Sequence, residues 1–357
     1  MVTDCMRDIY GNPSSVHELG RRARVVVERS RRTIAKQLNA SPSEIYFTSG
    51  GTEANNAILW GCAKNLSRRS FVTGKLEHPA VLQTLKVLKD IMGVDVHFVR
   101  YQSNGHICLD HLEELLKKNP SSVVSLMHAN NEIGNLLSLK NVSALCNQYD
   151  ALFHSDTVQT IGKFHIDLSK SLIDFAAASA HKFHGPKGVG FMYIRKGQLL
   201  TPFMSGGGQE REMRAGTENV CGIAGMAKAM ELAHEQLEAE QKYIASLKLA
   251  CIKLLQEKIS NVAFHGDPEG SSLHTVLNIS LPSGIDTEML LPALDIKGAC
   301  VSSGSACSSG SVKQSSVLQA LGADTARPSV RVSFSRYNTL QEVQQFVDIL
   351  AEIYQSS

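Results

Sequence analysis

The sequence predicts an α/β protein: a large domain with a mostly parallel sheet covered on both faces, followed by a smaller α+β lobe. Two observations carry this. Over roughly the first two hundred residues, short apolar runs alternate with helix-period segments, the order that builds parallel sheets. After Asn219 the pattern changes to one long helical stretch, beyond which strands and helices resume. A chain of 357 residues outgrows one small core and suits two domains. We place them at 1–240 and 241–357.

The elements can be justified in order. Helical spacing runs through 16–38. EIYFTS at 44–49 is a short strand, and a Gly-Gly-Thr turn leads from it into a helix at Thr52. A helix follows over 78–92, with Pro79 in its first turn, where a missing N–H costs nothing. Another covers 109–118. SVVSLMH at 122–128 is a continuous apolar run, as a strand buried on both faces should be. A helix over 139–149 precedes strands at 151–156, 174–181 and 189–194. Ile223, Met226, Met230, Ala233 and Leu237 step by three and four, and Ile244, Leu247, Cys251 and Leu254 continue the rhythm. This predicts one long, bent amphipathic helix with Glu231, Glu235 and Glu238 outside. Strands near 274–280 and 330–335, with helices near 287–294, 317–321 and 340–353, complete the smaller lobe.

Composition excludes several classes of function. Thirty-six basic and thirty-four acidic residues leave a net charge of +2, which offers nothing to nucleic acid or an anionic membrane. No apolar run reaches the ~18 residues of a membrane span. MVTDCMRDIYG has no apolar core of a signal peptide. Eight cysteines are scattered without a CxxC pair, which predicts no disulfide framework and no zinc site but a reducing, cytoplasmic setting.

Three strand-to-helix loops are dense in polar groups. In Thr48-Ser49-Gly50-Gly51-Thr52-Glu53 a glycine turn enters a helix, whose free N–H groups suit a phosphate; a plain structural turn reads the same way. Neither a Walker A loop nor a GxGxxG follows a strand. In His154-Ser155-Asp156-Thr157-Val158-Gln159 a carboxylate sits at a strand's carboxyl end, where open α/β sheets bind ligands, or serves as a helix cap. In Ser179-Ala180-His181-Lys182-Phe183-His184-Gly185-Pro186-Lys187-Gly188 a lysine follows small apolar residues. Partial desolvation favours its neutral, nucleophilic form. An anion cradle, a strand-end carboxylate and a strand-end amine are together the polar requirements of pyridoxal 5'-phosphate.

The stretches TSGGTEANN (48–56), EHPAVL (77–82), HANNEIGN (128–135), HSDTVQTIGK (154–163), SAHKFHGPKGVG (179–190), GGGQEREMRAGTEN (206–219) and SSGSACSSGS (302–311) resemble, in order, those of the pyridoxal-phosphate-dependent cysteine desulfurases, within the class V aminotransferases. The resemblance covers nearly the whole chain and implies a fold-type-I PLP-transferase-like architecture. It further implies that Lys182 tethers the cofactor and that Asp156 pairs with its ring nitrogen. Gln159 would bond its phenolic oxygen, and His78 would stack on the ring and assist proton transfer. Gly51, Thr52, Ser179 and His181 would hold the phosphate, and Thr217 would reach the phosphate of the other subunit of a homodimer. Asn131 and Arg331 would take the substrate carboxylate, with Arg336 lying close by in sequence.

Cys307 separates a desulfurase from an ordinary aminotransferase. It lies in a run of small residues with little to bury, suited to carrying a nucleophilic thiolate. The resemblance is to the long-loop group that serves iron–sulfur cluster assembly. It implies that L-cysteine gives L-alanine and an enzyme persulfide on Cys307, whose sulfur passes to an acceptor or iron–sulfur scaffold protein. One departure stands out. The family's strand and Thr-rich turn ahead of GNPSS have no counterpart in MVTDCMRDIY. A selenocysteine lyase or aminotransferase, or a weakly active or non-catalytic scaffold, are the alternatives at this point.

Overall fold

The computed structural model describes residues 1–64, 68–284, 287–303 and 315–355. They divide into two compact units. The first comprises Met1–Arg100, Cys108–His128 and Ser138–Leu237; the second comprises Tyr101–Ile107, Ala129–Leu137 and Glu238–Ser357. Two segments inside 1–240, which include Asn131, thus cluster with the C-terminal part of the chain.

The first unit begins with helices α1 (Val2–Asp8) and α2 (Glu18–Gln37). Its sheet holds β1 (Ile45–Thr48), β2 (Ser70–Gly74), β3 (Asp95–Val99), β4 (Val123–Ser125), β5 (Leu152–Asp156), β6 (Phe175–Ser179) and β7 (Gly190–Ile194). Between them run α3 (Gly51–Lys64), α4 (Pro79–Met92), α5 (Leu109–Lys118) and α6 (Leu139–Gln148), and α7 (Val220–Glu235) follows. The strand order is β1-β7-β6-β5-β4-β2-β3. Five strands are mutually parallel, and β7 runs antiparallel to both β1 and β6. β1 therefore points the same way as β6, and the loops after β1, β2, β4, β5 and β6 all leave from one edge.

Phe71, Val123, Phe175, Ala177, Met192 and Ile194 meet Ala54, Ile58, Val81 and Leu85 of α3 and α4 on one face. The intervening Val72, Val124, Ala176, Ala178 and Phe191 are buried as well, so the sheet is covered on both sides. This is why its strands read as unbroken apolar runs.

The second unit holds α8 (Leu237–Lys258, from Glu238 on), β8 (Ala263–Phe264), β9 (Val276–Ser280), α9 (Thr287–Ile296), α10 (Ser316–Ala320), β10 (Ser329–Ser333) and α11 (Leu340–Gln355). Its three-stranded sheet, β10-β9-β8, is antiparallel. The core packs Leu247, Cys251 and Leu255 against Leu277, Ile279, Val330 and Leu350.

The single long helix expected after Asn219 is two helices, broken at Gln236, whose φ of −113° and ψ of 5° end α7. The stepping of apolar residues carries across the break, so spacing alone could not show it. Strands β2 and β3, absent from the sequence reading, are short; β3 at the sheet edge keeps only Val99 buried, which removes the alternation that marks a strand. The MVTDCMRDIY segment is helical over Val2–Asp8.

Candidate active site

At the edge where β1 and β6 end, a cavity of 340 Å³ is lined by residues that include Gly51, Thr52, Ser179, His181 and Lys187. All four residues expected to hold a phosphate therefore share one cavity, and Lys187 joins them. The α3 N-terminus opens into it, giving the positive end of a helix dipole. A Cβ on Gly51 would sit 2.4 Å from Val158 Cγ2, so only glycine lets this backbone approach so closely. Ser179 Oγ and His181 Nδ1 lie 2.9 Å apart. Burial, with Lys182 and Lys187 close by, holds the His181 imidazole below its ordinary value.

The cradle is braced from outside. Glu53 Oε2 accepts from Ser49 N at 2.8 Å, while Arg214 Nε donates to Glu53 Oε1 at 2.8 Å. Burial works against the Glu53 anion, but Arg214 and Ser49 prevail and hold its carboxyl below the usual range. The GTE and RAGTEN motifs are thus joined by an ion pair, which the sequence reading did not anticipate. Thr217 of RAGTEN is exposed and does not line this cavity.

Deeper in the same unit, Asp156 ends β5 and is buried, accepting from Val158 N at 3.0 Å and from Asn55 Nδ2 at 2.6 Å. Asn55 Oδ1 then faces His154 Nε2 at 3.1 Å, and His154 Nδ1 faces Ser125 Oγ at 2.9 Å. Because Asn55 gives its amide hydrogen to Asp156, its carbonyl must accept from His154. The proton therefore sits on Nε2, and Ser125 donates to Nδ1. Burial pushes His154 down to about 3, so the string stays neutral up to the carboxylate. Asp156 itself is raised by burial, against the opposing pull of Val158 N–H, His78, Asn55 and Lys182. Its anion lacks a full complement of positive charge, which suits a cationic ring nitrogen.

Lys182 lies in a 3₁₀ turn (Ala180–Phe183) directly after β6. His78 caps α4, its Nδ1 accepting from Ala80 N at 3.1 Å. Burial first, then Lys182, lower its imidazole, against the pull of Asp156. Gln159 Oε1 accepts from Lys163 Nζ at 3.4 Å. Burial and the nearby Lys182 bring Lys163 down to about 8. Asn55, Glu53, Lys163 and His154 were legible only as members of motifs; His154 alone is marked further, as a polar side chain inside the apolar run ALFHSD.

In the second unit, Arg331 on β10 donates from Nη1 to Asn131 O at 3.2 Å, so the two residues expected at the substrate carboxylate are adjacent. Its backbone pairs with Ser302, N to O at 2.6 Å and O to N at 3.2 Å. Arg336 is ion-paired with Glu240 and lies over the Tyr337 ring, 4.9 Å from its centroid. Cys307 lies outside the described residues.

A sequence model of the aminotransferase class-V family matches residues 2–346. "Cysteine desulfurase IscS" of Dictyoglomus turgidum is 39% identical over 352 residues, covering 98% of this chain and 88% of the relative. "Cysteine desulfurase" of Nostoc sp. is 38% identical over 98% of this chain and 87% of its own length. Among solved structures, a "NifS-like protein" superposes with a TM-score of 0.91 at 38% identity, covering 100% of this chain and 94% of that one. "SspA in complex with cysteine" does so at 0.81 and 28% identity, over 95% and 94%.

Proposed function

We propose that this chain, which belongs to the class-V aminotransferase family and within it to the cysteine desulfurases, removes sulfur from L-cysteine with pyridoxal 5'-phosphate as cofactor. The observation that carries the cofactor assignment is the cavity at the α3 N-terminus. Its Gly51 leaves no room for a side chain, and Ser179 and His181 line it alongside Thr52. The donor set fits a phosphate monoester, and the buried Asp156 fits a protonated pyridine nitrogen. Pyridoxal 5'-phosphate, when bound, supplies an electron sink for the substrate's α-carbon.

The chain's own residues do the rest. Gly51, Thr52, Ser179 and His181 grip the phosphate, and Lys182 is the tethering amine. Asp156, fixed by Asn55, would pair with the ring nitrogen. Gln159, held by Lys163, would bond the phenolic oxygen. His78, kept neutral by burial, would stack on the ring; its Nδ1 accepts from Ala80 N–H, so the proton of the neutral imidazole sits on Nε2, from which it would be donated and to which it would be returned. Asn131 and Arg331 bind the substrate carboxylate, the guanidinium by paired charge-assisted bonds. The Cys307 thiolate attacks the substrate Sγ; the C–S bond breaks, a proton returns to carbon, and L-alanine leaves an enzyme persulfide.

Thr217 is exposed on its own chain and is not among the residues that line its own cradle, which supports a role at a second subunit's phosphate and hence a homodimer. A sulfur-acceptor or iron–sulfur scaffold protein in the cytoplasm is the partner this chemistry needs. The test is product stoichiometry with L-cysteine and a reducing thiol. Alanine and sulfide should appear one to one. Transfer of the amino group to a keto acid, or pyruvate in place of alanine, would overturn the reading.

A further inference from the structure

Helix α1 has seven residues, far fewer than a helix needs to persist alone in water. Its attachment must come from packing. Thr3, Asp4, Met6, Arg7 and Asp8 are exposed; Cys5 is buried, and Val2 and Ile9 are half-buried. Those three fall at steps of three and four, on one face. That face meets α7. A Cβ added to Gly225 of α7 would stand 2.6 Å from Val2 Cγ2 and 2.7 Å from Pro186 Cγ. Gly225 is therefore the point at which α7 receives α1 and also the Pro186 end of the loop that carries Lys182.

From that anchor the register can be followed. Three residues on from Val2 is Cys5, and four residues back from Gly225 is Cys221, each step about one helical turn. With the two helices running in opposed directions these steps bring the two cysteines together, and the nearness of Cys221 is among the causes that raise the Cys5 thiol. Both are free thiols, Cys5 buried and Cys221 half-buried in the first turn of α7.

We propose that Cys5 and Cys221 are a redox-active pair whose disulfide fastens α1 to α7, so that a marginal helix becomes a covalently held one under oxidation. The oxidant is a low-molecular-weight disulfide. The Cys221 thiolate, the more accessible sulfur, attacks it, expels one thiolate and is left as a mixed disulfide. Cys5 then loses its proton to solvent and attacks the Cys221 sulfur, expelling the second thiolate. Two protein thiols are oxidised and one small disulfide is reduced to two thiols. Burial, then the Cys221 contact, push the Cys5 thiol up to about 11, which keeps it a thiol until the neighbouring sulfur is activated.

The full-length cofactor-loaded protein is equilibrated without oxygen in glutathione buffers of increasing oxidised fraction, acid-quenched, alkylated and digested with trypsin without reduction. The expected product joins the peptide 1–7 to the peptide 215–228. In the oxidised protein, amide hydrogen exchange over Val2–Asp8 should slow by on the order of tenfold or more. Cys5→Ala should accumulate glutathione on Cys221. Cys221→Ser, which leaves the α1 face intact, should keep Cys5 reduced in every buffer. Glutathione persisting on Cys221 beside an alkylatable Cys5 in the parent protein, or Cys5 oxidised in Cys221→Ser, would overturn the proposal.

Discussion

Asp156 and Arg331 are held in different ways, one in each unit. Asp156 is 6% exposed and depends on other side chains: Asn55 bonds it, His154 orients Asn55, and Ser125 orients His154. Arg331 is half-buried on a strand, its backbone pairing with Ser302 and β9 and its Nη1 donating to Asn131 O. A buried carboxylate needs a complete set of partners, because each one left unmade carries the desolvation cost. An arginine fixed by its own backbone can lose its side chain and leave the strand in place. The first unit therefore couples stability to chemistry, whereas the second separates them.

The sharpest break in this pattern should be Lys182→Ala. It removes the proposed tethering amine, a half-buried side chain, and leaves the buried Ala180 and Phe183 of the same turn in place, so thermal unfolding should change little while turnover falls by about a thousandfold or more. A loss of fold alongside activity would mean that the turn is structural. In the second unit, Arg331→Ala should raise KM for L-cysteine by about ten- to a hundredfold, the loss of charge-assisted bonds to a carboxylate, with unfolding unaffected. Arg336→Ala should leave KM near the parent value, because that guanidinium is engaged by Glu240. The reverse pattern would exchange the two arginines.

How far these sites were legible in the sequence follows the same division. Loops that meet a ligand carry glycine, lysine and carboxylate in patterns that survive as motifs, so Gly51, Asp156 and Lys182 could be named from order alone. Residues that support them could not. Asn55 sits mid-helix in TEANN and His154 inside an apolar strand, and only folding shows that they touch. The parallel strands read well where both faces are buried, as in β6. They read poorly at the edge, where β3 is largely solvated, and in β2, where Ser70, Thr73 and Gly74 leave only a short apolar run although the strand is buried. Helix α1 was unreadable because its stability lies in docking through Val2 and Cys5, not in its own residues. The segment Ala129–Leu137 belongs with a unit whose main stretch begins at Glu238, about a hundred residues later, a fact of contacts that no local pattern records.

Smaller effects should separate the string from the carboxylate it serves. Asn55→Ala leaves Asp156 Oδ2 and His154 Nε2 without partners inside the protein, and should cost about 1–3 kcal/mol of stability by denaturant unfolding. No change in the midpoint would mean that water replaces the amide.

The pH dependence gives the finest distinction. His154 titrates at about 3 when folded against an ordinary value of ~6.5 when unfolded. Between these values the unfolded chain binds the proton and the native one does not. Stability from this group is therefore complete above ~6.5 and falls as pH drops toward about 3, with a slope of up to about 1.4 kcal/mol per pH unit. His154→Gln keeps a donor toward Asn55 and removes the titration. Unfolding midpoints measured from pH 4 to 7 should fall less steeply in this variant, and identical slopes would remove His154 from the acid response.

The central claim is that sulfur leaves L-cysteine for Cys307, and persulfide-trapping mass spectrometry tests it most directly. After L-cysteine alone, without a reducing thiol, the parent protein should carry one added sulfur on Cys307 and release an equal amount of alanine. Cys307→Ser should give neither, because a hydroxyl supplies no appreciable anion near neutral pH, whereas a thiol of pKa ~8.5 supplies a few per cent. Alanine release by Cys307→Ser at the parent rate, or trapped sulfur on the exposed Cys300 instead, would contradict the account.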